Sequence, residues 1–365
     1  MAVPSFPLRL SAPTHLVLPF ASSVSPSWQA ALLQLDDPGR FPALRAALNR
    51  LAVGAGHSGD ARSDDEYALS LPHEKVLASH LGWQALPDGT LPWAARQACA
   101  LGLDAKGERA WGWLTPCHWS VGRETLTLVD PAELALDEAE SRQVLEIMRP
   151  WFEEEGWALH EAPSHPDDAH LSASPRWLAS HPSLLGLPTA SLDRVIGRNP
   201  DLWMPDHPQA RLIKRLQSEM QMLLYVHPFN EAREARQALP VNSFWLSGSG
   251  RLPTERSGTA TAPEPQVMND LRTPLLATKA EDWLRAWDTL EAQLWRPVLE
   301  ALDTGQAVSV TLCGERQSLT LTSPPGHAHP APPGLAQGLL AGARQWLRRW
   351  QPVPKPTPSA LLNSL

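Results

Sequence analysis

The chain has 365 residues, enough for about two domains or for one large domain carrying an insert. Its 43% apolar and 19% charged content are those of a packed protein, and the formal net charge of −8 argues against nucleic-acid binding over the whole surface. The 37 prolines and 16 tryptophans predict an irregular architecture of short elements and many loops.

Three cysteines, Cys99, Cys117 and Cys313, are far apart and odd in number, which excludes a disulfide framework, and no CxxC or CxxxH spacing suggests zinc. The segment MAVPSFPLRLSAPTHLVLPF lacks the apolar core and small-residue end of a signal peptide. Nowhere do 18 consecutive apolar residues occur, so no membrane span is expected and the expected location is cytoplasmic.

In chain order, HLVLPFA (15–21) reads as a buried strand, followed by helices near 28–35 and 41–52 and a Gly/Asp-rich loop. Helices beginning near Pro72 and Pro92 come next, since proline suits the first helical turn. RAWGWLTPCHWSVGRETLTLVDP changes to the period of antiparallel strands with a turn at Gly122 and Arg123. Asp137 and Glu140 resemble a capping box for a helix carrying Val144, Leu145, Ile147, Met148 and Phe152, stopped by Gly156. Strands are predicted at 157–160 and 176–178.

The central unit runs from Gln209 to Gly250. In QARLIKRLQSEMQMLLYV, Leu212, Ile213, Leu216, Met220, Leu223 and Leu224 fall on one helical stripe, with Gln217 and the charged residues mostly off it. His227-Pro228 ends that helix, and VNSFWLSGSG reads as a buried strand closed by Gly248 and Gly250. Beyond the loop TERSGTATAPEPQ, the spacing of Trp283, Trp287, Leu290, Leu294, Val298 and Leu302 predicts a long helix. QAVSVTLCGERQSLTL predicts two strands joined at Gly314, and a proline-rich linker leads to an amphipathic helix over 334–350. No internal repeat is visible. Interleaved strands and helices define an α/β fold, a mixed sheet with flanking helices.

Few residues carry an obvious chemistry. The loop histidines 165, 170, 181, 207, 327 and 329 lack metal-ligand spacing, GxSxG is absent, and His118 in a strand reads as a structural histidine more readily than as a base. Trp203, Trp245, Trp283 and Trp287 read as core. The polar constellation of His227, Asn230, Arg233 and Asn242, with Arg194 or Arg198 joining from SLDRVIGRNPD, is the candidate ligand site. Arginine forks suit phosphate and carboxylate, so the expected partner is an anionic small molecule. Caps and surface ion pairs are the competing reading of the same residues.

The run HPFNEAREARQALPVNSFWLSGSG is similar to a stretch of the archaeal-type, cofactor-independent phosphoglycerate mutases. That family's stretch reads His-Pro-x-Asn, an arginine three residues on, then Pro-Ala-Asn before a strand ending in Arg-Gly-x-Gly. His227, Pro228, Asn230, Arg233, Pro240, Asn242, Gly248 and Gly250 match it. Through SLDRVIGRN, LQSEMQMLLY and NSFWLSG the chain also resembles proteobacterial RpfE-type regulatory, or phosphoglycerate mutase-like, proteins.

The resemblance implies an alkaline phosphatase-like fold or a reduced relative of it, spanning residues 1–322 with a possible inserted subdomain at about 105–250, and leaving 323–365 as linker and helix. It also implies a two-metal site, with manganese or zinc, in any active member. Here the first strand reads HLVLPFASS without the family's aspartate, and the late metal loop is replaced by Gly314, Glu315 and Arg316. No metal ligands and no cofactor are therefore expected. Three readings follow: a mutase-like protein without metal catalysis that binds an anionic small molecule in a regulatory role; an active mutase or phosphatase with divergent ligands such as Asp64, Asp65, Glu74 and His73; or a module whose Arg344, Arg348 and Arg349 helix meets a protein or nucleic acid.

Overall fold

A computed structural model describes residues 14–54, 66–83, 86–104, 106–123, 125–163, 174–253, 264–324 and 355–365. Its strands in chain order are β1 (Thr14–Leu18), β2 (Ala52–Val53), β3 (Trp111–Cys117), β4 (Trp119–Val121), β5 (Leu126–Leu128), β6 (Ala158–Ala162), β7 (Arg176–Ser180), β8 (Ser243–Gly250), β9 (Pro265–Val267), β10 (Val308–Cys313) and β11 (Ser318–Thr322). The helices are α1 (Gln29–Gln34), α2 (Pro42–Arg50), α3 (Pro72–His80), α4 (Trp93–Ala100), α5 (Glu138–Glu154), α6 (Leu192–Val195), α7 (Ala210–Tyr225), α8 (Pro228–Ala235), α9 (Arg272–Leu276), α10 (Ala280–Leu290), α11 (Arg296–Asp303) and α12 (Pro358–Leu362). The fold is mixed α/β.

The chain divides into two compact units, residues 1–60 with 263–365, and residues 61–262. The second is wider than an insert at about 105–250. It takes in α3 and its flanks because Thr189 N–H donates to Gly89 O (2.8 Å) and Ser191 N–H to Leu69 O (3.0 Å). The helix predicted over 334–350 lies outside the described residues. Beyond it, α12 is tied to the first unit by Ser359, whose N–H and hydroxyl donate to Asp36 at 2.9 and 2.6 Å.

In the first unit a five-stranded sheet has the order β2-β11-β10-β1-β9. β1 runs parallel to β9 and β10, and the hairpin β10–β11 and the pair β11–β2 are antiparallel. The apolar run of β1 buries Leu16, Val17 and Leu18, which is the pattern of a strand covered on both faces. The long helix predicted around Trp283 is α10 and α11 joined by a π turn at Glu291–Trp295. Its buried stripe holds Trp283, Trp287, Leu290, Leu294, Val298 and Leu302, as the spacing predicts. The π turn brings Glu291 inward, where its carboxylate accepts the N–H groups of Ala43 (2.5 Å) and Leu44 (2.9 Å) and caps α2 from outside that helix. The turn after β10 contains Gly314, Glu315 and Arg316. Arg316 and Gln317 donate their N–H groups to Leu365 O at 3.1 and 2.7 Å, and Glu315 Oε2 accepts from Ser23 Oγ and Val24 N–H, each at 3.3 Å.

The second unit holds an antiparallel sheet of order β6-β7-β3-β8 and a separate hairpin β4–β5. α7 lies along the β8 edge and buries Ile213, Leu216, Met220 and Leu224 in a core with Phe244, Phe152 and Trp157, while Leu212 and Leu223 are half-buried. Gln217 departs from the sequence reading, for it is buried on that stripe. Phe244 stands opposite Pro116, which has no N–H to give, and its carbonyl is met by Gln217 Nε2–H at 2.9 Å. A Gln217→Leu variant keeps the volume and removes the donor, and is expected to lose about 1–3 kcal/mol, the cost of a buried unsatisfied carbonyl. Urea denaturation reads this directly, and an unchanged midpoint would mean that water reaches the β8 edge.

Candidate functional site

Five of the six residues of the predicted anion site, His227, Asn230, Arg233, Asn242 and Arg198, are held in contacts within the fold. His227 is the N-cap of α8, its Nδ1 accepting from Phe229 N–H at 3.1 Å. Asn230, fully inside, donates from Nδ2 to Leu224 O (2.9 Å) and Val241 O (2.8 Å) and accepts from Val241 N–H (3.0 Å). Asn242 pairs with the backbone of Trp119, accepting from its N–H at 2.7 Å and donating to its carbonyl at 3.0 Å. Arg233 donates to Leu239 O (2.8 Å), to Glu140 Oε2 (2.8 Å) and to Leu134 O. Arg198 lies over the ring of Trp203, 5.5 Å from its centroid. His227, Asn230 and Asn242 thus engage backbone groups, Arg233 two carbonyls and the Glu140 carboxylate, and Arg198 an aromatic ring.

Arg194 leads elsewhere. It is buried on α6, with Nη2 3.5 Å from Ser70 O, and its charge acts on Glu74. Glu74 is the third residue of α3 and turns back so that Oε2 accepts Leu71 N–H at 2.8 Å and the hydroxyl of Ser191. That is the carboxylate half of a capping box whose other half, at Leu71, has no polar side chain to offer. Glu74 is 6% exposed, and burial pushes its carboxyl up to about 7. The Ser191 and Leu71 hydrogen bonds act against that rise, as does Arg194, while Asp193 adds to it. Both hydrogen bonds fall on Oε2.

Glu74 lies on the wall of an open cleft within the second unit. Ser70, Thr115, Thr189, Ser191 and Ser247 line it with hydroxyls, Trp93 and Trp113 supply aromatic walls, and Arg176 and Asp193 bring charge. Arg176 is held with its guanidinium 4.6 Å from the centroid of Trp113, and Trp113 is fixed in turn by donating Nε1–H to Gln97 at 2.6 Å. Gly248 sits on the lining at φ +61°, where a Cβ would come within 2.8 Å of Trp113. The glycine turn read from VNSFWLSGSG is therefore what lets β8 pass the aromatic wall.

Other candidates resolve as structural. His118 Nδ1 is 2.9 Å from Pro240 O, and burial pushes the neighbouring Cys117 thiol well up, away from a reactive thiolate. Asp64 and Asp65 lie outside the described residues. Glu74, considered with them as a divergent metal ligand, is instead a hydrogen-bonded carboxyl of the cleft wall. Among the described residues no group of three or more His, Cys, Asp or Glu is placed to hold a metal ion. No described helix is long and apolar enough to cross a membrane.

These features define a mixed α/β protein with a polar, aromatic-walled cleft in one unit. No family model matches the chain, and no curated protein does. Among solved structures it is similar to the cofactor-independent phosphoglycerate mutase of Thermoplasma acidophilum, with 11% identity, a TM-score of 0.32, and coverage of 86% of this chain and 90% of that one. A likeness at that level carries no argument about activity.

Proposed function

We propose that the protein binds a small carboxylated or phosphorylated molecule in the Glu74–Arg176 cleft, as a non-catalytic, phosphoglycerate mutase-like protein with a regulatory role. It is then a reduced relative of the alkaline phosphatase-like enzymes, without their two-metal chemistry. The single observation that carries the binding half is Arg176 on the lining of a cleft whose remaining polar groups are mostly hydroxyls. A guanidinium offers a fork to a planar anion, and serine and threonine hydroxyls complete the shell of a carboxylate or phosphate. The regulatory half is supported by the RpfE-type resemblance, and the non-catalytic half by the Gly314-Glu315-Arg316 turn where the mutases carry metal ligands.

The test is thermal denaturation against a panel of phosphorylated and carboxylated metabolites, each with and without manganese. A compound present at 100 times its Kd is expected to stabilise the wild type by about 2.7 kcal/mol, and Arg176→Gln is expected to lose that response. A panel with no active anion, or an Arg176→Gln variant that responds as the wild type does, overturns the binding reading. Metal-dependent isomerisation of phosphoglycerate by the purified protein overturns the non-catalytic one.

A further inference from the structure

Residues 355–365 belong to the first unit but to none of its strands, and they dock on it as a separate segment. α12 spans five residues, too few to hold a helix by themselves, so its shape is set by what receives it. It packs on α1 and α2. Asp36 accepts both the N–H and the hydroxyl of Ser359, at 2.9 and 2.6 Å, and Gln29 Nε2–H donates to Asn363 at 3.0 Å. Leu362 and Leu365 are buried at the i, i+3 spacing of one helical face. At the far end Leu365 O accepts the N–H groups of Arg316 (3.1 Å) and Gln317 (2.7 Å). Those donors stand just past β10, at the carboxyl ends of the parallel strands β1 and β10, where open α/β sheets hold their ligands. Gly314 completes the seat, for a Cβ there would stand 2.6 Å from that of Leu365.

We infer that this seat is a peptide-binding site, filled in cis by residues 355–365 and open in trans to the same segment of a second copy of the chain. What it reads is a short capped turn. Thr357 caps the turn with its own hydroxyl, Ser359 answers Asp36, and Leu362 and Leu365 enter as apolar anchors. The backbone donors of Arg316 and Gln317 fix the register by taking the carbonyl of Leu365. Every copy carries both seat and segment, so the trans pairing needs no contact that the cis pairing lacks. Covalent attachment gives the cis segment a high effective concentration, which makes the self-filled form dominant in dilute solution. The seat lies in the first unit and owes nothing to the anion reading of the second.

The experiment titrates a fluorescent synthetic peptide of residues 355–365 with the full-length protein. Wild type is expected to bind it weakly, because its own segment competes, and a Leu362→Asp chain to bind it about ten-fold or more tightly. Asp36→Ala added to that chain is expected to remove the gain. Sedimentation velocity reads exchange between copies. The Leu362→Asp chain keeps the seat and the Asp36→Ala chain keeps the segment, so a one-to-one complex is expected on mixing and from neither alone. Should Leu362→Asp fold poorly, Ser359→Ala takes its place, with a gain of about three-fold expected from the lost hydrogen bond. A peptide that binds no variant, or a gain that survives Asp36→Ala, would overturn the peptide site. A mixture that sediments as separate chains would overturn the second copy as its occupant.

Discussion

Replacing Arg233 by alanine is expected to cost about 3–5 kcal/mol of folding stability, the range for removing one partner of a buried ion pair. The side chain is 1% exposed, and its fork is divided between Leu239 O, Leu134 O and Glu140. Glu140 is itself the third residue of α5, and it also meets Arg236. The alanine variant would therefore strand two backbone carbonyls and halve the charge compensation of a mostly buried carboxylate in one step. Arg233→Lys keeps the charge but cannot reach three acceptors with a single ammonium, so it is expected to recover only part of the loss. Chemical denaturation at neutral pH decides the matter. A loss below about 1 kcal/mol would place Arg233 among exposed ion pairs and reopen its availability to a ligand.

That arginine also marks where the sequence could be read and where it could not. Periodicity carried the elements well: the stripe of Leu216, Met220 and Leu224, the Trp283-to-Leu302 helix and the two strands around Gly314 stand where their spacing puts them. Gln217 was missed because a polar residue within an amphipathic helix reads as solvent-facing, and its partner, the Phe244 carbonyl opposite Pro116, is visible only once β3 and β8 are paired. The contacts of the candidate site residues were hidden for a related reason. His227, Asn230 and Arg233 lie close together in sequence and so read as a cluster, yet their neighbours in space are backbone groups of Leu224, Val241, Leu239 and Leu134. The cleft is built the opposite way, from residues near 70, 90, 113, 176, 190 and 248 that no spacing rule connects. One local signal did point to it: an arginine opening the otherwise apolar strand RWLAS, where burial of a guanidinium calls for a reason.

The stability of the protein is expected to depend on pH through Glu74. Its folded-state value of about 7 lies above the ordinary 4.5, so the native state holds this proton more tightly than the unfolded chain does. The stabilisation it lends is fully present below about pH 4.5 and is lost as the pH rises through 7, because ionising a carboxyl at this depth costs solvation that Ser191, Leu71 and Arg194 only partly restore. At about 1.4 kcal/mol per unit, the difference corresponds to about 3 kcal/mol across that window. Glu74→Gln carries no such titration, and its amide oxygen, in the place of Oε2, can still accept from Leu71 N–H and from the Ser191 hydroxyl. Urea denaturation of both proteins at several pH values isolates the group, since every other titration is common to the two. The wild type is expected to lose about 3 kcal/mol relative to the variant between pH 4.5 and 8, with the change levelling off above 7. A flat difference would show that water solvates Glu74 in the native state. A difference of the opposite sign would show that attraction to Arg194 outweighs burial and holds the carboxyl ionised, and the cleft would then present a fixed negative charge at every physiological pH.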